Sequence, residues 1–229
     1  MMRLKKICGD SYLKETFSDG KKMTTLVAED LIYEKEYAIK EKVSGRRLIV
    51  TPDKGHIKMM LDLLAGENKN HSYSIAYFLL NVSKDVLGKY QTAKALAWEE
   101  LENFCEKYSD YLETDARHNF GVRDIETKET VIYDNHNVLY VFGDLGEKIK
   151  ILENNGYKRV EKIVIPKPHT HFFYNENDDN EIEFLKNNDW IFTPVRIQDD
   201  DDEDDDWDKE ITKKSLFDLM FDYLETETI

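Results

Sequence analysis

Histidines are the residues of this chain whose spacing most suggests chemistry. Four of the six fall between residues 118 and 171, and two of these form the triplet His169-Thr170-His171. Because side chains alternate along a strand, a His-x-His triplet on a strand presents both rings on one face. Imidazole nitrogens are common zinc ligands, and catalytic zinc typically has three protein ligands and an open fourth position. His136 or His118 would supply the third nitrogen.

This pattern gives one functional hypothesis, a metal-dependent hydrolase that holds a divalent metal on His136, His169 and His171. Asp134 or Asp115 would act as its general base. The competing interpretation is that the histidines are turn and strand-end residues whose rings bond backbone groups. The sequence has neither an H-E-x-x-H motif nor paired C-x-x-C motifs, the patterns that support a metal site. The structural interpretation is therefore favoured. No other cofactor is indicated, the catalytic residues are unknown, and the balance is against an enzyme without deciding the question.

Other catalytic signatures are fragmentary. Pieces of the His-Asn-His nuclease pattern occur as Arg117-His118-Asn119 and near His136, but that site needs a metal-ligating histidine in a ββα unit. The helix predicted at 144–154 contains no histidine. Cys105 lies on the apolar stripe of a predicted helix, which favours a small core residue over a nucleophile. No G-x-S-x-G elbow occurs.

The charge of the chain is concentrated at one end. Its 229 residues hold 47 acidic and 32 basic side chains, a net charge of −15, of which −11 belongs to residues 199–229. Residues 1–60 are mildly basic, with 13 basic and 9 acidic side chains. A net negative charge argues against duplex-DNA binding, because DNA phosphates attract basic surfaces. No apolar run approaches the roughly 20 residues of a membrane helix, so we expect a cytoplasmic protein without membrane contact.

Eight adjacent carboxylates are the main source of this charge. Because they repel one another, the sequence predicts an extended acidic linker at 199–209, followed by an amphipathic helix at 210–229. The run is interpreted as a solubilising linker, as an arm that binds a basic protein, or as a diffuse divalent-cation site without the glycine turn of an EF-hand. The residues predicted to contact a partner are Asp199, Asp200, Asp201, Asp202, Glu203, Asp204, Asp205, Asp206 and Trp207.

The main functional hypothesis is a non-catalytic protein-binding or inhibitor protein, possibly similar to immunity proteins, that uses an acidic surface to bind a basic partner. Bacterial immunity proteins that neutralise basic nuclease toxins work through acidic surfaces. The analogy to them is one of charge character alone, since no residue motif supports membership. Carboxylates would steer the cationic partner, and aromatic side chains such as Trp207 would anchor it. A third hypothesis, beside the hydrolase, is a regulatory domain whose C-terminal helix binds its own body instead of a partner.

Hydrophobic periodicity predicts the elements that must position these residues. The predicted fold class is α+β, a single domain with a mixed, mainly antiparallel sheet flanked by helices. The predicted organisation is an N-terminal arm at 1–22, a globular domain at 23–198, the acidic linker at 199–209 and the C-terminal helix at 210–229.

Individual elements follow from apolar patterning and from Gly, Pro and Asx punctuation. Helices are predicted at 53–65, 96–112, 144–154 and 179–187. Strands are predicted at 48–51, 73–82, 118–124, 130–133, 138–142, 160–165, 171–174 and 190–197. The strongly apolar strand at 73–82 is predicted to be a buried central strand. The strands at 130–133 and 138–142 are predicted to form a hairpin, with Asx side chains that bond the turn backbone. The arm is predicted to be irregular or partly helical. Residues 24–43 show an incomplete helical stripe, with two strands as the competing interpretation.

Overall fold

The computed structural model describes the backbone of residues 7–18, 21–30, 33–42, 45–65, 69–80, 88–165 and 170–194. It describes the side chains of residues 33–41, 45–65, 69–80, 88–165 and 171–194. All of these residues belong to one compact unit. His169, the acidic linker with Trp207 and the C-terminal helix lie outside the described residues, so their predicted roles stay predictions.

Twelve strands, four α-helices and a short 3-10 helix at Asn175–Asn177 are the regular elements of the described part of the chain. The strands are β1 (Ile7–Ser18), β2 (Lys21–Asp30), β3 (Glu36–Lys42), β4 (Gly45–Thr51), β5 (Tyr73–Leu79), β6 (Gly88–Thr92), β7 (His118–Asp124), β8 (Thr130–Tyr133), β9 (Leu139–Phe142), β10 (Lys158–Arg159), β11 (Thr170–His171) and β12 (Trp190–Pro194). The helices are α1 (His56–Ala65), α2 (Trp98–Thr114), α3 (Leu145–Asn154) and α4 (Asp178–Lys186). None of these four helices has the length and hydropathy needed to cross a bilayer.

Nine of the strands form one mixed sheet in the order β10-β3-β4-β9-β8-β7-β5-β6-β12. Neighbouring strands are antiparallel except for the parallel pair of β10 and β3. β10 and β12 are therefore the two edges of this sheet within the described residues. A smaller antiparallel sheet has the order β11-β1-β2. The predicted α+β fold with a mainly antiparallel sheet is confirmed.

The core forms where the helices meet one face of the large sheet. Ile75 and Tyr77 of β5 and the stripe of Leu101, Cys105 and Leu112 on α2 are all fully buried in one cluster. β5 lies between β7 and β6, which confirms the predicted buried central strand. The apolar stripe of α2 places Cys105 in this core, so its interpretation as a packing residue is confirmed.

Several local predictions are wrong. The strand predicted at 171–174 is only the two-residue β11, and β6 lies where no strand is predicted. Residues 7–18 form β1 instead of an irregular or partly helical arm, because pairing with β2 supplies the ladder hydrogen bonds that a weakly patterned strand needs. The strand predicted at 160–165 is displaced to β10, where Lys158 and Arg159 pair with β3. Over residues 24–43 the two-strand interpretation is confirmed by β2 and β3.

Candidate functional site

The turn between β8 and β9 is built by Asp134. Its Oδ1 accepts the backbone N–H groups of His136 and Val138, both at 2.9 Å. Asn137 takes a positive φ of 63°, a conformation that Asn tolerates better than most residues. The predicted Asx-stabilised hairpin is thus confirmed, and this turn fixes the position of the His136 ring.

His136 and His171 lie together at this end of the sheet. Their ring centroids are 4.8 Å apart in an edge-to-face arrangement. His136 Nδ1 lies 3.1 Å from Asp134 Oδ2, so Nε2 is the nitrogen that would face a metal. A carboxylate behind a ligating histidine is a common second contact in metal centres, where it orients the ring. Two of the three residues predicted as ligands therefore converge, and His169 lies outside the described residues.

Two tyrosines lie close to the same carboxylate. Tyr33 is buried, and its hydroxyl has no hydrogen-bond partner among the described residues. Burial and the negative charge of Asp134 both raise the pKa of the Tyr33 phenol. Burial and Asp134 likewise raise the pKa of Tyr140, against the opposing effect of Arg47, whose guanidinium lies 5.4 Å from the Tyr140 ring centroid. The Asp134 carboxylate thus stands among phenols that stay protonated at neutral pH.

His118 and Asp115 lie in other surroundings. His118 is fully buried, with its ring about 5 Å from those of Tyr77 and Tyr111 in the aromatic core. Asp115 accepts hydrogen bonds on both carboxylate oxygens, from the backbone N–H and Nε of Arg117 on Oδ1 and from Tyr174 N–H on Oδ2. These contacts give Asp115 a positioning role, and Asp134 is the carboxylate that lies beside the histidine pair.

Arg117 is a structural centre that sequence reasoning missed. Its Nη1 donates to Glu181 Oε2 at 2.7 Å and to Asp178 Oδ1 at 3.0 Å, while Nη2 donates to the carbonyl of Tyr174 at 2.9 Å. Together with Asp115 these contacts fasten the start of α4 to the start of β7. The partners are about 60 residues apart in sequence, and no local pattern connects them.

A second missed cluster contains His71, Asp124 and Glu126. Their potential ligand atoms lie within 4.8 Å of one another, the one such group among the described residues. His71 Nδ1 lies 2.7 Å from Asp124 Oδ2, and Asp124 Oδ1 accepts the N–H groups of Glu126 and Thr127. These bonds occupy the Asp124 carboxylate and tie the segment before β5 to the β7–β8 turn, which accounts for the cluster without a metal.

A groove of ≈ 530 Å³ separates α1 from α2. Its lining combines apolar Ile57 and Leu61 with three glutamates of one α2 face, Glu102, Glu106 and Glu113. Cys105 also lines it, but burial raises the pKa of that thiol to about 12, so no thiolate is present near neutral pH. Cys105 is therefore not an activated nucleophile in this groove.

The β12 edge carries exposed apolar side chains next to an acidic helix. Ile191 and Phe192 are 51% and 40% exposed, among four large hydrophobic side chains that are exposed in the described residues. Trp190 stacks on Phe184 of α4 and donates from Nε1 to its carbonyl, which joins strand and helix. Residues 175–189, which contain α4, hold six acidic side chains and one basic one. Apolar and acidic surface thus meet at one edge.

The predicted site residues therefore fall into three groups. His136 and His171 converge beside Asp134, whereas His118 and Asp115 are buried elsewhere. The third group, which lies outside the described residues, is His169, the acidic residues 199–206 and Trp207. The β12 edge was missed because exposure of an apolar strand cannot be read from its composition. In comparisons with protein-family models, curated proteins and solved structures, no significant match to the chain was found.

Proposed function

We propose that the chain is a non-catalytic protein-binding or inhibitor protein that uses an acidic surface to bind a basic partner. The observation that supports this most directly is the exposure of Ile191 and Phe192 on an edge strand packed against acidic α4. Exposed apolar side chains rimmed by charged residues are a mark of interaction sites. Phe192 supplies an aromatic anchor of the kind that dominates binding energy at interfaces.

Charge favours a cationic partner. Glu176, Asp179 and Asp189 are exposed on or beside α4, and Lys186 is the basic residue of that segment. The carboxylates of residues 199–206 and Trp207 are the further contacts that the sequence predicts. An acidic surface accelerates encounters with a basic protein and disfavours acidic competitors.

The test is a pull-down from native lysate, with the full chain as bait, at low and at high salt. We expect basic proteins to be retained at roughly 50 mM salt and released at roughly 500 mM, because exposed charges are screened at high ionic strength. A variant with the eight acidic residues 199–206 changed to Asn or Gln, and a second with Asp179→Asn and Asp189→Asn, should retain less.

The matched control changes the exposed residues Glu99, Glu106 and Glu147 to Gln, which removes charge from other surfaces. It should retain more basic protein than either acidic-surface variant. If the wild-type chain retains no basic protein at low salt, the proposal is wrong.

The second candidate function is a metal-dependent hydrolase with its metal on His136, His169 and His171. The 4.8 Å between the His136 and His171 rings, with Asp134 behind His136, is the observation that favours it. Elemental analysis of protein purified without chelators decides this: stoichiometric zinc, manganese or iron, lost in His136→Ala but kept in His71→Ala, would support it. A wild-type chain without stoichiometric metal excludes it.

A further inference from the structure

We infer that the basic partner binds as an extended segment that adds a strand to β12, with alternating basic and apolar residues. This inference deepens the proposed function and rests on it. Adding a strand to an exposed sheet edge is a general mode of peptide recognition, in which backbone hydrogen bonds give affinity and alternate side chains give specificity.

The register of β12 against β6 decides which backbone groups face outward. In an antiparallel ladder, hydrogen-bonded and non-hydrogen-bonded residue pairs alternate. Ala93 donates its N–H to the carbonyl of Asp189 at 3.0 Å, so that pair is hydrogen-bonded and Ile191 and Thr193 also direct their backbone groups to β6. Trp190 and Phe192 therefore direct N–H and C=O away from the sheet.

The two faces of β12 have different chemistry, which sets the side chains of the added strand. Trp190 and Phe192 share the face that carries α4, where Trp190 stacks on Phe184. Ile191 points to the opposite face and is half exposed. An added strand would place Lys or Arg on the α4 face, which carries the acidic helix and the Phe192 ring, and apolar residues beside Ile191. The period-2 alternation of a strand matches this division.

A second copy of the chain is a poorer occupant of the same edge. Antiparallel pairing of two β12 strands about a two-fold axis would place both α4 helices on one face of the joined sheet. Arg117 pairs with Asp178 and Glu181, and Lys107 with Glu183, but each copy still brings the exposed acids Glu176, Asp179 and Asp189, and the whole chain carries a charge of −15. Like charges at an interface disfavour association, whereas a basic segment gains from the same charges.

Pro194 limits the length of the added strand. It ends β12 and, having no N–H, offers only a carbonyl to a neighbouring strand. Proline at the end of an edge strand is a common means of shortening the surface open to pairing. The outward groups are thus the N–H and C=O of Trp190 and Phe192 and the carbonyl of Pro194, which defines a short recognition segment.

The experiment uses the full chain and a synthetic ten-residue peptide of alternating Lys and Val, with binding measured by titration calorimetry at low salt. Phe192→Pro removes one outward N–H without touching a bond to β6, and Phe192→Ala is the matched control that loses the ring but keeps the N–H. We expect the Pro variant to bind about tenfold more weakly than the Ala variant, the equivalent of one or two hydrogen bonds.

A change in the peptide tests the same bonds without altering the protein. N-methylation of alternate peptide residues should weaken binding to the wild-type chain about tenfold, as the change from Ala to Pro at position 192 does. Equal affinity of the two Phe192 variants, or of the methylated and unmethylated peptides, would refute strand addition. If salt-sensitive binding of basic proteins persists in that case, the proposed function still stands; if such binding is absent, both fail. A wild-type dimer in sedimentation that Phe192→Pro dissociates would instead identify a second copy as the occupant.

Discussion

Arg117 donates from Nε to Oδ1 of Asp115 at 2.9 Å, in a pair whose side chains are 5% and 0% exposed. Two further carboxylates, Asp178 and Glu181, bind the same guanidinium through Nη1. A charged side chain can be buried only when its ion-pair partners are present, because desolvation of an unpaired ion is costly. The start of α4 is therefore held to the sheet by this one side chain, in addition to the contact between Phe184 and Trp190.

Arg117→Ala should lower the free energy of unfolding by about 3–5 kcal/mol, because it leaves buried carboxylates without their counter-ion. Urea denaturation followed by circular dichroism measures the change. The control is Arg46→Ala, which removes an exposed arginine 3.6 Å from Glu41 and should cost about 0–1 kcal/mol. Equal stability of the two variants would show that the Arg117 cluster does not hold the fold.

Tyr77 and Tyr111 share a buried hydrogen bond of 2.7 Å between their hydroxyls. Either single change to Phe strands the other hydroxyl in the core, at a cost of about 1–3 kcal/mol. Replacing both removes the pair without leaving an unsatisfied group, so the double variant should be less destabilised than the sum of the singles. A double-mutant cycle by urea denaturation tests this, and simple additivity would contradict it.

Gly143 follows β9 with a φ of +117°, and a Cβ there would lie 2.6 Å from Glu129 Cγ. Gly143→Ala should therefore destabilise the chain by about 1–3 kcal/mol. It should also disturb the buried contact of 2.8 Å between Glu129 Oε2 and Lys148 Nζ. The matched control is Gly146→Ala in α3, where the nearest atom is 3.4 Å away and Ala favours a helix by about 0.5–1 kcal/mol. Thermal melts distinguish the two, and equal melting temperatures would contradict the steric argument.

The pair of His71 and Asp124 predicts a pH dependence of stability. The hydrogen bond to Asp124 raises the pKa of His71 above 6.5. Burial alone would raise the pKa of Asp124, but the Thr127 N–H and His71 outweigh burial and hold that pKa below 3.8. The contribution of His71 to stability is complete below pH 6.5 and is lost as pH rises through the folded-state pKa of His71. The contribution of Asp124 to stability is complete above pH 3.8 and is lost as pH falls through the folded-state pKa of Asp124.

His71→Gln keeps a hydrogen-bond donor but cannot titrate, so it isolates the charge. The stability difference between the wild-type chain and this variant should be larger at pH 5.5 than at pH 9. Urea midpoints at the two pH values provide the measurement. A difference that is constant over this interval would show that the His71 charge does not contribute.

Sequence periodicity located the elements with strong apolar patterning. β7 and β8 have the predicted bounds, and α2 and α3 differ from theirs by at most two residues. β1 was not predicted because its sequence lacks the apolar alternation of a strand. It is a strand because it pairs with β2.

For the candidate site, the Asp134–Asn137 turn that positions His136 could be predicted, since turn chemistry is local. The Arg117 cluster and the His71 bond to Asp124 join residues more than 50 apart, and only the folded topology brings such partners together.

The two edges of the large sheet are unlike, and this asymmetry has a consequence for stoichiometry. β10 is two residues long and exposes Lys158 and Arg159, whereas β12 exposes Ile191 and Phe192. Continuous sheet polymerisation needs an acceptor at one end of each subunit and a compatible donor at the other. Because the short cationic edge does not match the apolar one, a strand added at β12 should give a one-to-one complex and no continuous fibre.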